Sequence, residues 1–239
     1  MGGWGVMVGI SKKIFCSVVV LLVLSACATR TFVTEKELSK SEPTILLLHP
    51  NVTLTEVSAG GVQTPKADWT EAAHLHIRDA LRDELEAGGA NLEVAENFSA
   101  VDPENPQEVQ LAKLHAMVGS SIVAYQVNSV TRLPTKVEFD WSLGPAVNYY
   151  RDQYDSDYAL FVHVQDSYAS DGRKAAIFMA ALLFGVSLQG GIQSAYATLV
   201  DLDTGEIVWF NFLHRGQGDL RELEPARETV KALLTGFPS

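Results

Sequence analysis

The stretch "DYALFVHVQDSY", Asp157 to Tyr168, decides the fold. Between Tyr158 and Val164 both sets of alternating positions are apolar or aromatic, with His163 the one interruption. Successive side chains of a strand point to opposite faces, so this segment reads as a central strand covered on both sides. His163 is then a core or helix-covered histidine.

Toward the C-terminus, "DGRKAAIFMAALLFGVS" reads as a helix that starts near Asp171, stops around Gly185 and is apolar nearly all round. At 13 to 15 residues it falls short of the roughly 20 a spanning helix needs, so burial against the sheet is expected. "IQSAYATLVDL" and "EIVWFNFLHR" flank Asp203-Thr204-Gly205, a hairpin whose glycine supplies the positive φ of the turn. The last helix takes Pro225 into its first turn, buries Ala226, Val230, Leu233 and Leu234, and ends at Gly236.

Toward the N-terminus, "TILLLHP" from Thr44 is a short buried strand ended by Pro50, and the Gly- and Thr-rich segment 51–66 reads as a loop. Asp68 and Glu71 form a capping box for a helix whose inner face is Trp69, Ala73, Ile77, Leu81 and Leu85 and whose end is Gly88-Gly89. "NLEVA" at Asn91 follows as a strand. A second helix opens at Asn105-Pro106, with Glu108 at its third position and Leu111, Leu114, Val118, Ile122 and Tyr125 inward. Residues 135–156 are irregular, with a short helix over Ala146 to Tyr154. The order β-α-β-α, irregular, β-α-β-β-α predicts an α/β domain, a mixed sheet packed with helices, spanning residues 44–239.

Residues 1–26 have export architecture: Lys12 and Lys13, then an apolar run that ends after 13 residues, Ile14 to Ala26. That run is too short for a permanent membrane helix. Leu24-Ser25-Ala26-Cys27 resembles the lipobox of bacterial lipoproteins, which implies acylation of Cys27 as the first mature residue. With Ala28 rather than Asp after the cysteine, the same resemblance implies an outer-membrane anchor and a domain facing the periplasm. Residues 27–43 read as the lipidated cysteine and a polar tether.

Loss of Lys12 and Lys13 with the leader takes the net charge from −11 to −13, which disfavours nucleic acid and anionic headgroups as ligands. Cys16 leaves with the leader and Cys27 is consumed by the lipid, so disulfides, thiolate metal sites and cysteine nucleophiles are excluded from the body.

"FDWSLG", "DYALFVHVQDSY", the apolar helix, and "YATLVDLDTGEIVWFN" followed by "GDLRE" resemble a group of uncharacterised proteobacterial lipoproteins over most of the chain from Thr44 to Pro238. More distantly, the element order is similar to the peptidoglycan-synthase activator lipoproteins, the curli secretion lipoprotein and the amino-terminal domain of TolB. Those relatives imply binding or assembly rather than catalysis; no cofactor is expected.

The constellations that carry chemistry are sparse. His74 and His76 are two apart on a helix, point to different faces and read as solvated surface residues; His49, His115 and His214 have no ligand partner at a recognisable spacing, so no metal is expected. Asp152, Asp155 and Asp157 read as a solvated turn, and Asp201 to Glu206 lacks the ligands of a calcium loop. Gly-x-Ser-x-Gly and Ser-x-x-Lys are absent from the mature chain.

Three functions follow. The first is a non-catalytic lipoprotein docking a periplasmic or outer-membrane protein, with Trp141, Tyr149, Tyr150 and Tyr154 as the docking surface or, alternatively, as a cap on the core. The second is a subunit of an oligomeric pore or secretion assembly, suggested by the similarity to the curli lipoprotein and by the apolar segment Ala175 to Val186. The third is an envelope hydrolase using Glu138 and Asp140, placed two apart on one strand face.

Overall fold

The structure, a computed structural model, describes residues 38, 40, 42–95, 104–128, 130–136, 138–186, 190–216 and 218–238, and the backbone of 30–35. Cys27 and the segment 1–26, read as a leader, lie outside the described residues. The protein is α/β, with a mixed eight-stranded sheet covered by helices.

The spine is β6 (Tyr158–Ala169), the strand expected at the centre. It runs antiparallel to β7 (Gln193–Asp201), which pairs antiparallel with β8 (Ile207–Arg215). On its other edge β6 receives two strands end to end, both parallel to it: β2 (Thr44–Leu47) along its first half and β3 (Asn51–Val57) along its second. Strand β5 (Asn91–Val94) continues the sheet beyond β2, and β4 (Gln63–Pro65) closes a hairpin on β3.

Segment 51–66 is therefore not a loop. Pro50 marks a step between two strands on the same edge, and "NVTLTEV" alternates through buried Val52 and Leu54, with Val57 buried at its end and the other positions partly exposed. The polar segment read as a tether also carries structure, because β1 (Arg30–Glu35) pairs antiparallel with β8 from Arg30↔His214 to Glu35↔Trp209. That pairing covers the edge β8 would otherwise expose. Lys40 then pairs with the Asp157 carboxylate, whose other oxygen accepts from the Thr44 backbone N–H at 3.0 Å.

Each sheet face has its own core. Tyr158, Leu160, Val162 and Val164 of β6 pack under α1 (Ala67–Ala87) and α5 (Leu223–Leu233). Ala159 and Phe161 pack under α2 (Pro106–Ile122), a 3-10 turn at Pro145–Val147 and α3 (Asn148–Tyr154). The sheet is thus the middle of three layers. Helix α1 buries Ala73, Ile77, Leu81 and Leu85 of the expected face, with Ala80 added, and leaves Trp69 half-buried against the same core. Its capping box does not form: the helix begins at Ala67 behind Lys66, so Asp68 already lies in the first turn.

Helix α2 is capped as expected, Asn105 Oδ1 accepting from the backbone N–H groups of Gln107 (3.2 Å) and Glu108 (3.3 Å). Its inner face is rotated from the predicted one: Leu111, His115, Gly119 and Ile122 are buried, whereas Leu114 and Tyr125 are exposed. The cause is Tyr196 of β7, whose ring lies so close to α2 that a Cβ on Gly119 would sit 2.2 Å from it. Only the Gly119 stripe can face that ring.

Candidate functional site

Residues 138–156 hold both the aromatics expected to dock a partner and the carboxylates expected to carry chemistry. Tyr150 is 4% exposed and packs edge-on against Phe161, with its phenol pKa raised by burial. Trp141, Tyr149 and Tyr154 are half-buried against the same core cluster. Burial removes Tyr150 from that docking surface, whereas Trp141, Tyr149 and Tyr154 pack on the core and remain partly exposed. Glu138 and Asp140 share no strand face: they lie in irregular backbone around Phe139, Asp140 is held by Lys136 Nζ at 2.7 Å, and Glu138 is exposed. Asp203-Thr204-Gly205 forms the expected turn, with Gly205 at φ 75°.

Histidines that are remote in sequence meet in space. His74 stacks on His49 with ring centroids 4.0 Å apart, so it is not a solvated residue, and burial with His49 beside it pulls its pKa down to about 4. Both rings line an open cleft of about 670 Å³ with Thr70 and Glu71. His76 meets the Leu220 carbonyl oxygen at 3.1 Å.

Under α2, His115 is fully buried against Phe161, with Nε2 at 3.0 Å from Thr198 Oγ1. Burial, helped by nearby His163, drives its pKa to about 3. His163 stacks on Tyr196 at 4.9 Å, and burial lowers its pKa also. These rings are neutral packing elements at neutral pH. Among the described residues no group of three or more His, Cys, Asp or Glu side chains is placed to hold a metal ion.

A buried polar network at the C-terminal end of β6 escaped sequence reasoning. Asp166 Oδ2 accepts from Tyr168 Oη (2.6 Å) and Gln193 Nε2 (2.8 Å), and its Oδ1 accepts from the Ser167 backbone N–H (2.8 Å). Gln193 Oε1 in turn accepts from Arg215 Nε (2.7 Å) and Thr229 Oγ1 (3.1 Å). Burial raises the Asp166 pKa to about 6 against the pull of its hydrogen bonds. Tyr168 Oη accepts the Leu220 N–H at 2.8 Å, and its ring carries the Arg221 guanidinium, which Asp219 holds at 2.6 Å. The network ties β6, β7, β8 and α5 together. Its one sequence signal is a lone Asp in an apolar strand, which alone does not reveal its partners.

The other unanticipated feature begins at the same end. Helix α4 (Asp171–Phe184) starts where expected, with Ser170 Oγ accepting from the Arg173 N–H, and stops at Gly185 with φ 64°. The expectation that it is buried fails: no residue of it is buried. Arg173, Ile177 and Ala180 are half-buried, whereas Phe178, Leu182, Leu183 and Phe184 are 66%, 67%, 62% and 76% exposed. Both sheet faces are already filled by the other helices, so α4 projects from the end of the sheet instead of packing on it.

No protein-family model matches the chain, and no curated protein matches it. Among solved structures it is similar to the PelC dodecamer from Paraburkholderia phytofirmans, at 13% identity over 87% of this chain and 96% of that one, with a TM-score of 0.39. A second crystal form of that dodecamer, carrying one substitution, aligns at 14% identity over the same shares with a TM-score of 0.35. Likeness at this level carries nothing about function.

Proposed function

We propose that this chain is an outer-membrane lipoprotein, held by acyl chains on Cys27, whose periplasmic α/β domain works by docking rather than by catalysis. The observation that carries the reading is the exposed apolar end of α4. A cluster of large apolar side chains left in water marks an interaction surface on a folded protein. The shifted titratable groups favour the same reading: Asp166, His115 and Tyr150 are all engaged in packing or hydrogen bonds inside the body. The lipobox supplies the address, since acyl chains contribute about 0.8 kcal/mol per buried methylene and two or more of them anchor stably.

Labelled palmitate fed to cells expressing the full chain tests it. The wild type takes up label and fractionates with outer membranes, whereas Cys27→Ser takes up none and leaves that fraction. A wild type that never acquires palmitate overturns the proposal.

A further inference from the structure

The lipidated end of the chain and the exposed helix lie at one end of the sheet. The strand registers run across it in a line: Val57 pairs with Ala169, Asp166 with Gln193, Gln193 with Arg215, and the neighbouring His214 with Arg30. Helix α4 leaves β6 at Ala169 and the chain returns to β7 at Gln193, so α4 projects from that line. Arg30 is three strand spacings from Asp166, about 14 Å at the usual spacing. Cys27 precedes Arg30 by three residues, a reach of at most about 11 Å. A bilayer that takes up acyl chains at Cys27 therefore comes within reach of α4.

The chemistry of α4 changes along its axis. Its first turn carries Asp171, Arg173 and Lys174, and beyond Lys174 no charged residue occurs until Asp201. Phe178, Met179, Leu182, Leu183 and Phe184 stand exposed on that charge-free part, followed by Val186 and Ile192. At the tip of the β3-β4 hairpin Val62 is exposed, and neighbouring Gly61 lies against the Arg173 side chain at the base of α4. At 1.5 Å per residue, Phe178 to Phe184 extends about 10 Å, comparable to the immersion depth of interfacial helices and far short of a span. Among the described residues no helix is long and apolar enough to cross a membrane.

We infer that the exposed apolar end of α4 inserts into the acyl boundary of the same membrane that holds the lipid on Cys27, making a second contact that fixes the tilt of the domain. This rests on the lipoprotein reading above and adds to it the occupant of the exposed surface. The occupant is lipid rather than an anionic protein surface or headgroup layer, because the inserting part is uncharged and the body around it is strongly acidic. Lys174, exposed at the base of the helix and paired with Asp171 at 3.0 Å, stands at headgroup level.

The mature body has no other thiol, so a single introduced cysteine can be labelled. Full-chain lipoprotein carrying Leu183→Cys, labelled with the fluorophore NBD, is reconstituted into phosphatidylethanolamine–phosphatidylglycerol vesicles containing doxyl-labelled acyl chains. The control is Met117→Cys, exposed on α2. Insertion gives a blue-shifted emission at 183, strong doxyl quenching, and several-fold less quenching by aqueous iodide than at 117. Equal iodide quenching at both sites overturns the inference. So does a blue shift at 183 without doxyl quenching, which marks a second copy or another protein as the occupant. Palmitate incorporation, measured on the same preparations, separates the two readings: acylated protein with a wet position 183 sinks insertion alone, and unacylated protein sinks the anchor.

Discussion

At the level of single residues, two glycines are fixed by geometry. Gly119 faces the Tyr196 ring at a separation no Cβ tolerates, and Gly205 turns the β7-β8 hairpin at φ 75°. Gly119→Ala is expected to destabilise by about 1–3 kcal/mol through overpacking, and Tyr196→Leu in the same chain to recover part of the loss, both read as denaturant midpoints. The ionisable residues of the interior give a pH dependence with opposing parts. His115 and His74 hold folded pKa values of about 3 and 4, below the ordinary 6.5, so the unfolded chain binds their protons first. Their contribution is present above about pH 6.5 and is lost as pH falls through the folded values. Asp166 has the opposite sign: its pKa of about 6 lies above the ordinary value, so the folded state gains protons first and stability declines as pH rises from about 4 to 6. The two histidines outweigh the one carboxyl, and the protein is expected to lose stability on acidification. Asp166→Asn is expected to steepen that loss between pH 6 and 4, and His115→Phe to make it shallower. Denaturant midpoints at several pH values measure both, and an Asp166→Asn profile parallel to wild type removes the assignment.

The elements separate into those the core requires and one it does not. Asn105 caps α2 and also donates from Nδ2 to Tyr149 Oη at 2.7 Å, joining α2 to α3. Asn105→Ala is expected to cost about 1–2 kcal/mol, more than an isolated cap because the link to α3 goes with it. Helix α4 behaves differently. Leu182→Ser with Phe184→Ser removes two large apolar side chains, yet both are exposed, so the melting temperature is expected to stay within about 2 °C of wild type. Ile77→Ala in α1, with its side chain fully buried, is expected to cost about 2–5 kcal/mol. A large thermal loss from the α4 pair shows that the helix is packed in solution.

Across the whole molecule, β1 both covers the β8 edge and brings the chain upstream of it to the end of the sheet that carries α4. Replacing Arg30–Glu35 by a Gly/Ser segment of equal length leaves a nine-residue strand edge open, and self-association detected by light scattering is the expected result. The period-two run of β6, the hairpin glycine, the Asn105 cap and the Ala73-Ile77-Leu81-Leu85 stripe were legible because each is a local signal read over a few residues. Strand β3 was missed although its alternation was present, since Pro50 and the surrounding Gly and Thr resemble a loop when no neighbouring strand is known. The rotation of α2 depends on Tyr196, some eighty residues away, and the Asp166 network on groups from β7, β8 and α5. The sequence by itself determined the element types, the α/β class and a cysteine set among residues that resemble a lipobox, because propensity, periodicity and capping act over one or two turns of chain. Only the tertiary structure decided which apolar surfaces are covered. The helices on the two sheet faces fill both cores, and the most apolar helix of the body is left in the open because no face remains for it.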